Sequence, residues 1–495
     1  MSALTDAIAR SFTAGEPARP ALSPMRALGR RQLSGIEVLA QSVATTAPAV
    51  SMVVLPVTIL THGHLIGGML TILVATIAVT LIAFCLSQFT RRMAAAGGLH
   101  SFAFRGAGSR AALTAAVAML VKYIGSAVMT LYHGGQAVIA LLAFAGIGAP
   151  ASIVYPVLAV CILLCLVRGV RFAAIAILVV ESCSLAFIVG LMLFGDNASQ
   201  IAVLPEPSGS GVLALMLAAL FALAGFESAA FFGPEARRPL VTVTRTVLLT
   251  PVICGSLFVF AGWAAWTGRS DTLVNAYLHG TATGVSPAVV IALNVGLCCS
   301  WLASAMASSN AASRLVYSLG IERVLPPWCA RVHRSFRTPD VALTLVVGVV
   351  LLGGGAFALF GTGVIFGDLR LVVRGAVIVA YVVVAVASVR FLSRIGEQTP
   401  GVLAAGALGS AAGGLVLGYL LYVNVLDASY VVPIAVAVIL ASGLTWRAHL
   451  RRRRPDALLR MGAFDSAETA DVLPGAGMFA ADATGATILV GRNGH

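Results

Sequence analysis

The sequence predicts an all-α integral membrane protein with twelve transmembrane helices. Its 495 residues are 59% hydrophobic and only 10% charged, whereas an average soluble domain contains about 25% charged residues. Such a chain has too few polar residues to cover a soluble core. The apolar residues also fall into runs of about 20, the length that a helix needs to cross a bilayer. Cytosolic enzymes, disordered regulators and fibrous proteins are therefore poor interpretations of this composition.

Twelve apolar runs, separated by polar breaks such as Thr90–Arg92, are the candidate spans. In chain order they are 35–60, 67–88, 111–145, 150–167, 172–195, 211–233, 246–266, 286–312, 341–360, 375–392, 402–422 and 429–446. They define one membrane domain, residues 33–446, between an N-terminal tail, 1–32, and a C-terminal tail, 447–495. The second tail is rich in Ala and Gly with scattered acids, which predicts disorder.

The distribution of arginine predicts the orientation of the chain. With the N-terminus inside, 28 arginines fall in inner segments, and only Arg269, Arg370 and Arg374 fall outside or near the outer mouth. Basic loops stay on the cytoplasmic side. We therefore predict a multi-pass protein of the cell (cytoplasmic) membrane, with both termini in the cytoplasm. The inner arginines are expected to contact anionic lipids, and the absence of a basic face with interleaved aromatic residues argues against nucleic acid as a partner.

The chain shows no sequence signature of a metal site or of a nucleotide cofactor. The eight cysteines include no CxxC pair, and their spacings fit neither a zinc site nor a disulfide framework. Most lie inside apolar runs, where cysteine serves as a small packing residue. Lys122 is the only lysine and no Walker-type GxxxxGK[ST] is present, so we expect neither ATP use nor any cofactor.

Three charged residues lie inside predicted spans, where charge is costly and indicates function. They are Lys122 in the third span, Glu181 in the fifth and Glu227 in the sixth. Helical rise places Lys122 about 18 Å from Arg110 and Glu181 about 15 Å from Arg171. Since both spans start at the inner face, Lys122 and Glu181 are predicted to lie at equal depth and to interact. The pair either locks two helices together or takes part in coupling and gating.

Lys122 begins a polar stripe along the third span. Ser126, Met129, His133 and Gln136 follow it at steps of four, three, four and three residues, which places them on one helix face. A lipid-facing helix would not carry this stripe. It is therefore predicted to face protein or a water-filled path.

Two spans contain residues that interrupt a helix. Pro48 in the first span removes an N–H and clashes with a carbonyl one turn back, and Gly225 weakens the sixth. Two interrupted spans, each the first of five consecutive spans, are typical of an inverted-repeat transporter. Here the repeats are about 35–195 and 211–392, followed by peripheral helices at about 402–446. The alternative is a plain proline kink and a packing glycine.

Freed amides and carbonyls at such breaks can hold a small molecule's carboxylate and ammonium. The predicted binding residues are Thr46, Ala47, Pro48, Ala49 and Ser51 in the first span and Phe221, Gly225, Phe226 and Glu227 in the sixth. Lys122, Glu181 and Glu227 are the candidates for proton coupling or gating. An ionised Glu227 is costly unless a cation arrives, so it acts either as a proton-responsive gate or only as an acceptor for freed amides.

Three stretches resemble the amino acid–polyamine–organocation (APC) superfamily of permeases. They are Phe221–Glu227 with Glu235–Pro239 and Arg245; Arg314–Gly320 with Val324–Pro326, His333, Thr338 and Pro339; and Arg91–Met93 with Ala96–Phe102. The resemblance implies a LeuT-type bundle, in which spans 1–5 and 6–10 form a 5+5 inverted repeat and spans 11–12 are peripheral. It also implies secondary transport of an amino acid or related amine by proton symport or exchange.

Two other functions are compatible with a polytopic chain. A transporter-like membrane sensor would normally carry a folded cytoplasmic domain, and the C-terminal tail is short. A membrane-embedded enzyme needs a nucleophile–base set or a metal cluster at one depth, and no two of Lys122, Glu181, Glu227 and His133 lie within one helix turn. Transport is therefore the favoured prediction, with no enzymatic activity.

Overall fold

Helices make up almost all of the secondary structure in the computed structural model, which describes residues 28, 32–61, 65–194, 211–462, 478–481 and 487–490. The spans are Gly35–Thr45 with Pro48–Thr61 (first), Leu65–Thr90 (second), Leu99–Phe144 (third), Ala151–Val167 (fourth), Val170–Phe194 (fifth), Gly211–Leu223 with the 3-10 segment Phe226–Glu235 (sixth), Pro239–Trp266 (seventh), Pro287–Ile321 (eighth), Asp340–Phe360 (ninth), Gly363–Arg394 (tenth), Pro400–Leu426 (eleventh) and Val431–Arg453 (twelfth). Shorter helical segments are Asp271–His279, Gly280–Thr283, Pro327–Ala330 and Pro455–Arg460.

Each of the twelve predicted spans corresponds to a helical segment of the structure. Eleven of these helical segments are long and apolar enough to cross a membrane, and the fourth, Ala151–Val167, is apolar and 17 residues long. Seventeen residues is at the lower end of the length that a span needs. Two short strands, Met478–Ala481 and Thr487–Val490, form an antiparallel hairpin after the membrane domain and are the one departure from an all-α fold in the described chain.

Several helices extend beyond the apolar runs that predicted them. The third span begins at Leu99 instead of 111, with a non-helical Gly108 (φ 82°) marking a kink. The tenth begins at Gly363 instead of 375. A hydropathy criterion ends a span at the first charged residues, whereas helical backbone hydrogen bonds continue through them.

The C-terminal tail departs from the predicted disorder over its first part. The twelfth span continues to Arg453, and the helix Pro455–Arg460 follows it. Ala457 and Met461 are buried, and the amide of Gly462 donates to Glu322 at 2.9 Å. Residues 463–477, 482–486 and 491–495 of this tail lie outside the described residues, as does almost all of the N-terminal tail, 1–32.

The packing of the spans follows an inverted repeat. The second span packs against the seventh, the third against the eighth and the fourth against the ninth, so that spans five places apart in the chain are neighbours. The third span also packs extensively on the tenth, and the eighth packs on the fifth. These two pairs are equivalent, because the third and eighth spans occupy matching places in the two halves, as do the fifth and tenth. Only 22% of the most apolar stretch of the eleventh span, and the same share of the twelfth, is buried, in agreement with a peripheral position.

Both predicted helix breaks are present. The first span is interrupted at Thr46 and Ala47, where Ala47 has φ 46°, and a new helix starts at Pro48. Proline suits this position because its missing N–H is not needed in a first helical turn. The sixth span ends its α-helix at Leu223 and resumes as a 3-10 segment after Gly225, which has φ 152°.

Candidate functional site

The two helix breaks touch each other at the centre of the bundle. A Cβ atom added to Gly225 would lie 2.9 Å from the amide nitrogen of Thr46 and 3.0 Å from the carbonyl carbon of Thr45. Only glycine tolerates this approach together with its positive φ. The breaks therefore bring the non-helical backbone of two spans into one place.

A cavity of about 290 Å³ lies against both breaks, and we call it the central cavity. Of the predicted binding residues, Thr46, Ala47, Ser51 and Phe221 line it, whereas Pro48, Ala49, Gly225, Phe226 and Glu227 do not. The remaining lining residues are Thr45, Val50, Val54, Leu55, Ser126, Met129, Thr130, His133, Ala218, Ala222, Ala224, Tyr277, Trp301, Ser304, Phe366, Arg370 and Arg374. Six elements contribute to this lining: the first, third, sixth, eighth and tenth spans and the helix Asp271–His279.

The polar stripe of the third span faces this cavity over its middle section. Ser126, Met129 and His133 line it, and the His133 ring stacks on Trp301 with centroids 5.2 Å apart. Gln136, farther along, donates to the hydroxyl of Tyr155 at 3.1 Å. The stripe thus faces protein and a cavity, in agreement with the prediction that it faces protein or a water-filled path.

Glu227 lies behind the break, fully buried, where three hydrogen-bond donors and the Lys122 ammonium surround its carboxylate. Oε1 accepts from the hydroxyl of Tyr123 at 2.8 Å and lies 3.2 Å from Lys122 Nζ. Oε2 accepts from the hydroxyl of Tyr381 at 2.6 Å and from the amide of Gly225 at 2.9 Å. Glu227 thus ties the broken sixth span to the third and tenth spans.

The predicted contact between Lys122 and Glu181 is wrong. Lys122 is 1% exposed and forms its ion pair with Glu227, which sequence reasoning treated as a separate site. Equal depth along two spans sets the height of two side chains, but it does not set the direction in which each one points. Lys122 points toward the sixth span, and Glu181 points toward the first and eighth.

Glu181 joins the fifth span to the break in the first. Its Oε1 accepts from the hydroxyl of Ser300 at 3.0 Å and from the amide of Ala49 at 3.4 Å. Its Oε2 is buried and has no hydrogen-bond partner among the described residues. The freed amide that follows Pro48 is therefore satisfied by a carboxylate of the protein itself.

The end of the bundle where the first span begins is closed, and we call it the N-terminal face. Arg314 donates to both oxygens of Glu235, at 2.6 and 2.9 Å, with both side chains fully buried. Its guanidinium also lies 4.2 Å from the Phe232 ring. Leu33 continues this closure, because its amide donates to the Glu235 carbonyl at 3.0 Å.

The central cavity extends toward the other end of the bundle. Its lining includes Val54 and Leu55 in the later part of the first span, and Tyr277 in the helix Asp271–His279 that joins the seventh and eighth spans. The part of the chain described here is thus closed at one face while the cavity lies toward the opposite face.

Two arginines of the tenth span line the cavity, and sequence reasoning placed them outside the membrane helices. Arg370 and Arg374 are one turn apart, and the Arg374 guanidinium lies 5.6 Å from the Phe221 ring. Because of these two charges, the predicted apolar run begins only at 375, although the helix starts at Gly363. Their i, i+4 spacing places them on one helix face, and this spacing is the feature of the sequence that could have indicated a shared site.

A model of the family described as "Amino acid permease" matches residues 38–462. The chain belongs to the amino acid permease family. This confirms the resemblance to APC permeases, and the apolar helices agree with a multi-pass membrane protein. The permease is 27% identical over 311 residues to an uncharacterised transporter of Rhizobium meliloti (strain 1021), a match that covers 59% of this chain and 65% of that relative.

A second relative carries a more specific name. The permease is 25% identical over 203 residues to the low-affinity putrescine importer PlaP of Escherichia coli (strain K12), which covers 36% of this chain and 42% of PlaP. The permease thus matches less than two thirds of the length of either relative.

Proposed function

We propose that this permease is a secondary active transporter that moves an amino acid or a related amine across the cytoplasmic membrane by alternating access at its two broken spans. The observation that carries the proposal is the central cavity of about 290 Å³, which ends on both breaks. A volume near 300 Å³ is in the range of small-molecule sites. The family description and the name of PlaP support amino acids and amines as the substrate class.

The closed N-terminal face supports alternating access. The buried Arg314–Glu235 pair blocks a path from the cavity to that face, and the cavity lining reaches Tyr277 toward the opposite one. One end state of a transporter needs this asymmetry. Because basic loops stay in the cytoplasm, the bias of arginines toward the N-terminal side supports a cavity that faces outward.

Glu227 is the first candidate for proton coupling. It holds the amide of Gly225 at the break and also contacts the third and tenth spans, which line the cavity. Protonation would remove the negative charge that balances Lys122 and would weaken the hold on the broken span. The charge state of Glu227 would then change the relation between the sixth span and the rest of the bundle.

Glu181 is the second candidate for proton coupling, from a different position. Its contacts connect the first span with the fifth and eighth, and the buried Oε2 is free of protein donors in the described chain. Protonation at that oxygen would relieve a buried charge that has no ionic partner among the described residues. Symport or exchange could use either carboxylate, so each is tested separately.

Proteoliposome transport tests this function. The wild-type permease should accumulate a labelled amino acid or amine from a panel, and accumulation should depend on an imposed pH gradient. Glu227→Gln keeps the side-chain shape and should lose the pH dependence while substrate binding largely survives. The pH dependence of uptake is measured for Glu181→Gln in the same way. Glu397→Gln is the matched control, because Glu397 pairs with Arg92 at an exposed position.

The results separate the roles. An unchanged pH–rate profile in Glu227→Gln would leave that residue only a structural role, and the same holds for Glu181→Gln. Failure of the wild type to move any amino acid or amine would remove the proposed function.

A further inference from the structure

We propose that the central cavity selects a substrate with a net negative charge, an acidic amino acid rather than a neutral amino acid or a diamine, through Arg370 and Arg374. The inference rests on the proposed transport function and narrows its substrate class.

The charges that line the cavity are all positive. Arg370 and Arg374 are part of its wall, and none of its lining residues is an aspartate or a glutamate. The one other titratable base in the wall is His133. A diamine would therefore bring two cations into a site that offers it no carboxylate and two guanidiniums of like charge.

The buried carboxylates near the breaks do not change this balance. Glu227 is absent from the lining, is 0% exposed, and already has Lys122 and three hydrogen-bond donors. It cannot also bind an ammonium group in the cavity without losing these partners. Glu181 is also absent from the cavity lining, and it accepts instead from Ser300 and Ala49.

The arginines themselves lack an anion. Among the described residues, neither Arg370 nor Arg374 forms an ion pair, so no carboxylate lies within 4.0 Å of either guanidinium. The Nε of Arg374 is buried without a hydrogen-bond partner in the same ranges. Its contact with the ring of Phe221 at 5.6 Å is a cation–π interaction, which is weaker than pairing with an anion. A charge held at membrane depth without a partner indicates a functional site.

A carboxylate of the substrate fits this deficit. Guanidinium groups bind carboxylates through two parallel hydrogen bonds, and two arginines one turn apart are separated by about 6 Å along the helix. Arg370 and Arg374 can therefore act on the same acidic group. The α-amino and α-carboxyl groups would then lie toward Thr46 and Ser51 in the cavity wall, so the side-chain carboxylate is what the arginines select.

The test compares L-glutamate with L-glutamine, which have the same shape and differ in charge, and with putrescine. Purified full-length permease in proteoliposomes should take up glutamate in preference to both. Arg374→Gln and Arg370→Gln should each lower the glutamate-to-glutamine ratio of uptake roughly tenfold, which corresponds to about 1.4 kcal/mol. Arg374→Lys, which keeps the charge, should retain part of the preference. Arg269→Gln is the control, because Arg269 donates to the Leu193 carbonyl and does not line the cavity.

The outcomes distinguish this inference from the proposed function. Preference of the wild type for glutamine or putrescine would overturn the inference and leave transport standing, whereas no uptake of any probe would overturn both. A variant that elutes as an aggregate is replaced by the other glutamine variant. An unchanged glutamate-to-glutamine ratio in a folded variant at either arginine would contradict the assignment of that arginine.

Discussion

Replacing both Lys122 and Glu227 should destabilise the permease by less than the sum of the two single replacements. The Lys122–Glu227 pair is buried, with side chains 1% and 0% exposed and 3.2 Å between the charged atoms. Removing one member of such a pair leaves an uncompensated buried charge, whereas removing both leaves none. The two single substitutions are therefore expected to be strongly non-additive.

The structure also orders the two single variants. Glu227→Gln removes the ion pair of the buried Lys122 ammonium, which has no hydrogen-bond partner among the described residues, so its cost should reach about 3–5 kcal/mol of unfolding free energy. Lys122→Met should cost less, because Tyr123, Tyr381 and the Gly225 amide still donate to the carboxylate. The double variant should fall short of the sum by about 2 kcal/mol.

Denaturant titration of the purified proteins in mixed micelles measures these free energies. The matched control cycle combines Lys122→Met with Glu181→Gln, because Glu181 contacts Ser300 and Ala49 and not Lys122. That cycle should be additive within about 0.5 kcal/mol. Additive losses for Lys122 and Glu227, or a large coupling between Lys122 and Glu181, would refute the pairing.

Three further predictions address the breaks and the closed face. Gly225→Ala should abolish uptake without preventing membrane insertion, because the new Cβ would meet the Thr46 amide nitrogen at 2.9 Å; Gly355→Ala, where the space is open, should leave uptake unchanged. Arg314→Gln should destabilise the permease by about 3–5 kcal/mol in the same titration, because it leaves the buried Glu235 unpaired. Thr130→Cys, in the cavity wall, should react in intact cells with a membrane-impermeant thiol reagent above the wild-type background.

Each of these predictions has a contradicting result. Normal uptake by Gly225→Ala would separate the contact between the breaks from transport. A stability loss below about 1 kcal/mol for Arg314→Gln would mean that the buried pair does not hold the N-terminal face closed. Labelling of Thr130→Cys only from the cytoplasmic side, in inverted vesicles, would reverse the proposed orientation.

Local physical rules were enough to predict the membrane architecture from the sequence. Apolar length predicts a span because a bilayer core has a set thickness, and the twelve spans follow from it. Proline and glycine interrupt helices through their own backbone chemistry, so the breaks near Pro48 and Gly225 were predictable without any neighbour. The polar stripe from Ser126 to His133 follows from helical periodicity alone.

Only the tertiary structure decided which charges meet. Lys122 pairs with Glu227 because the third span directs it toward the sixth. The position of a residue along its helix gives its depth in the membrane, but it does not say which neighbouring span the side chain faces. Arg370 and Arg374 were predicted to lie outside or near the outer mouth, because the apolar run of the tenth span begins only after them. Their helix instead turns both of them toward the cavity wall, where a protein-lined space lets charged side chains lie within a membrane-spanning segment. Hydrophobicity and backbone chemistry are properties of the local chain, whereas the partner of a charge depends on how helices far apart in sequence are rotated against each other.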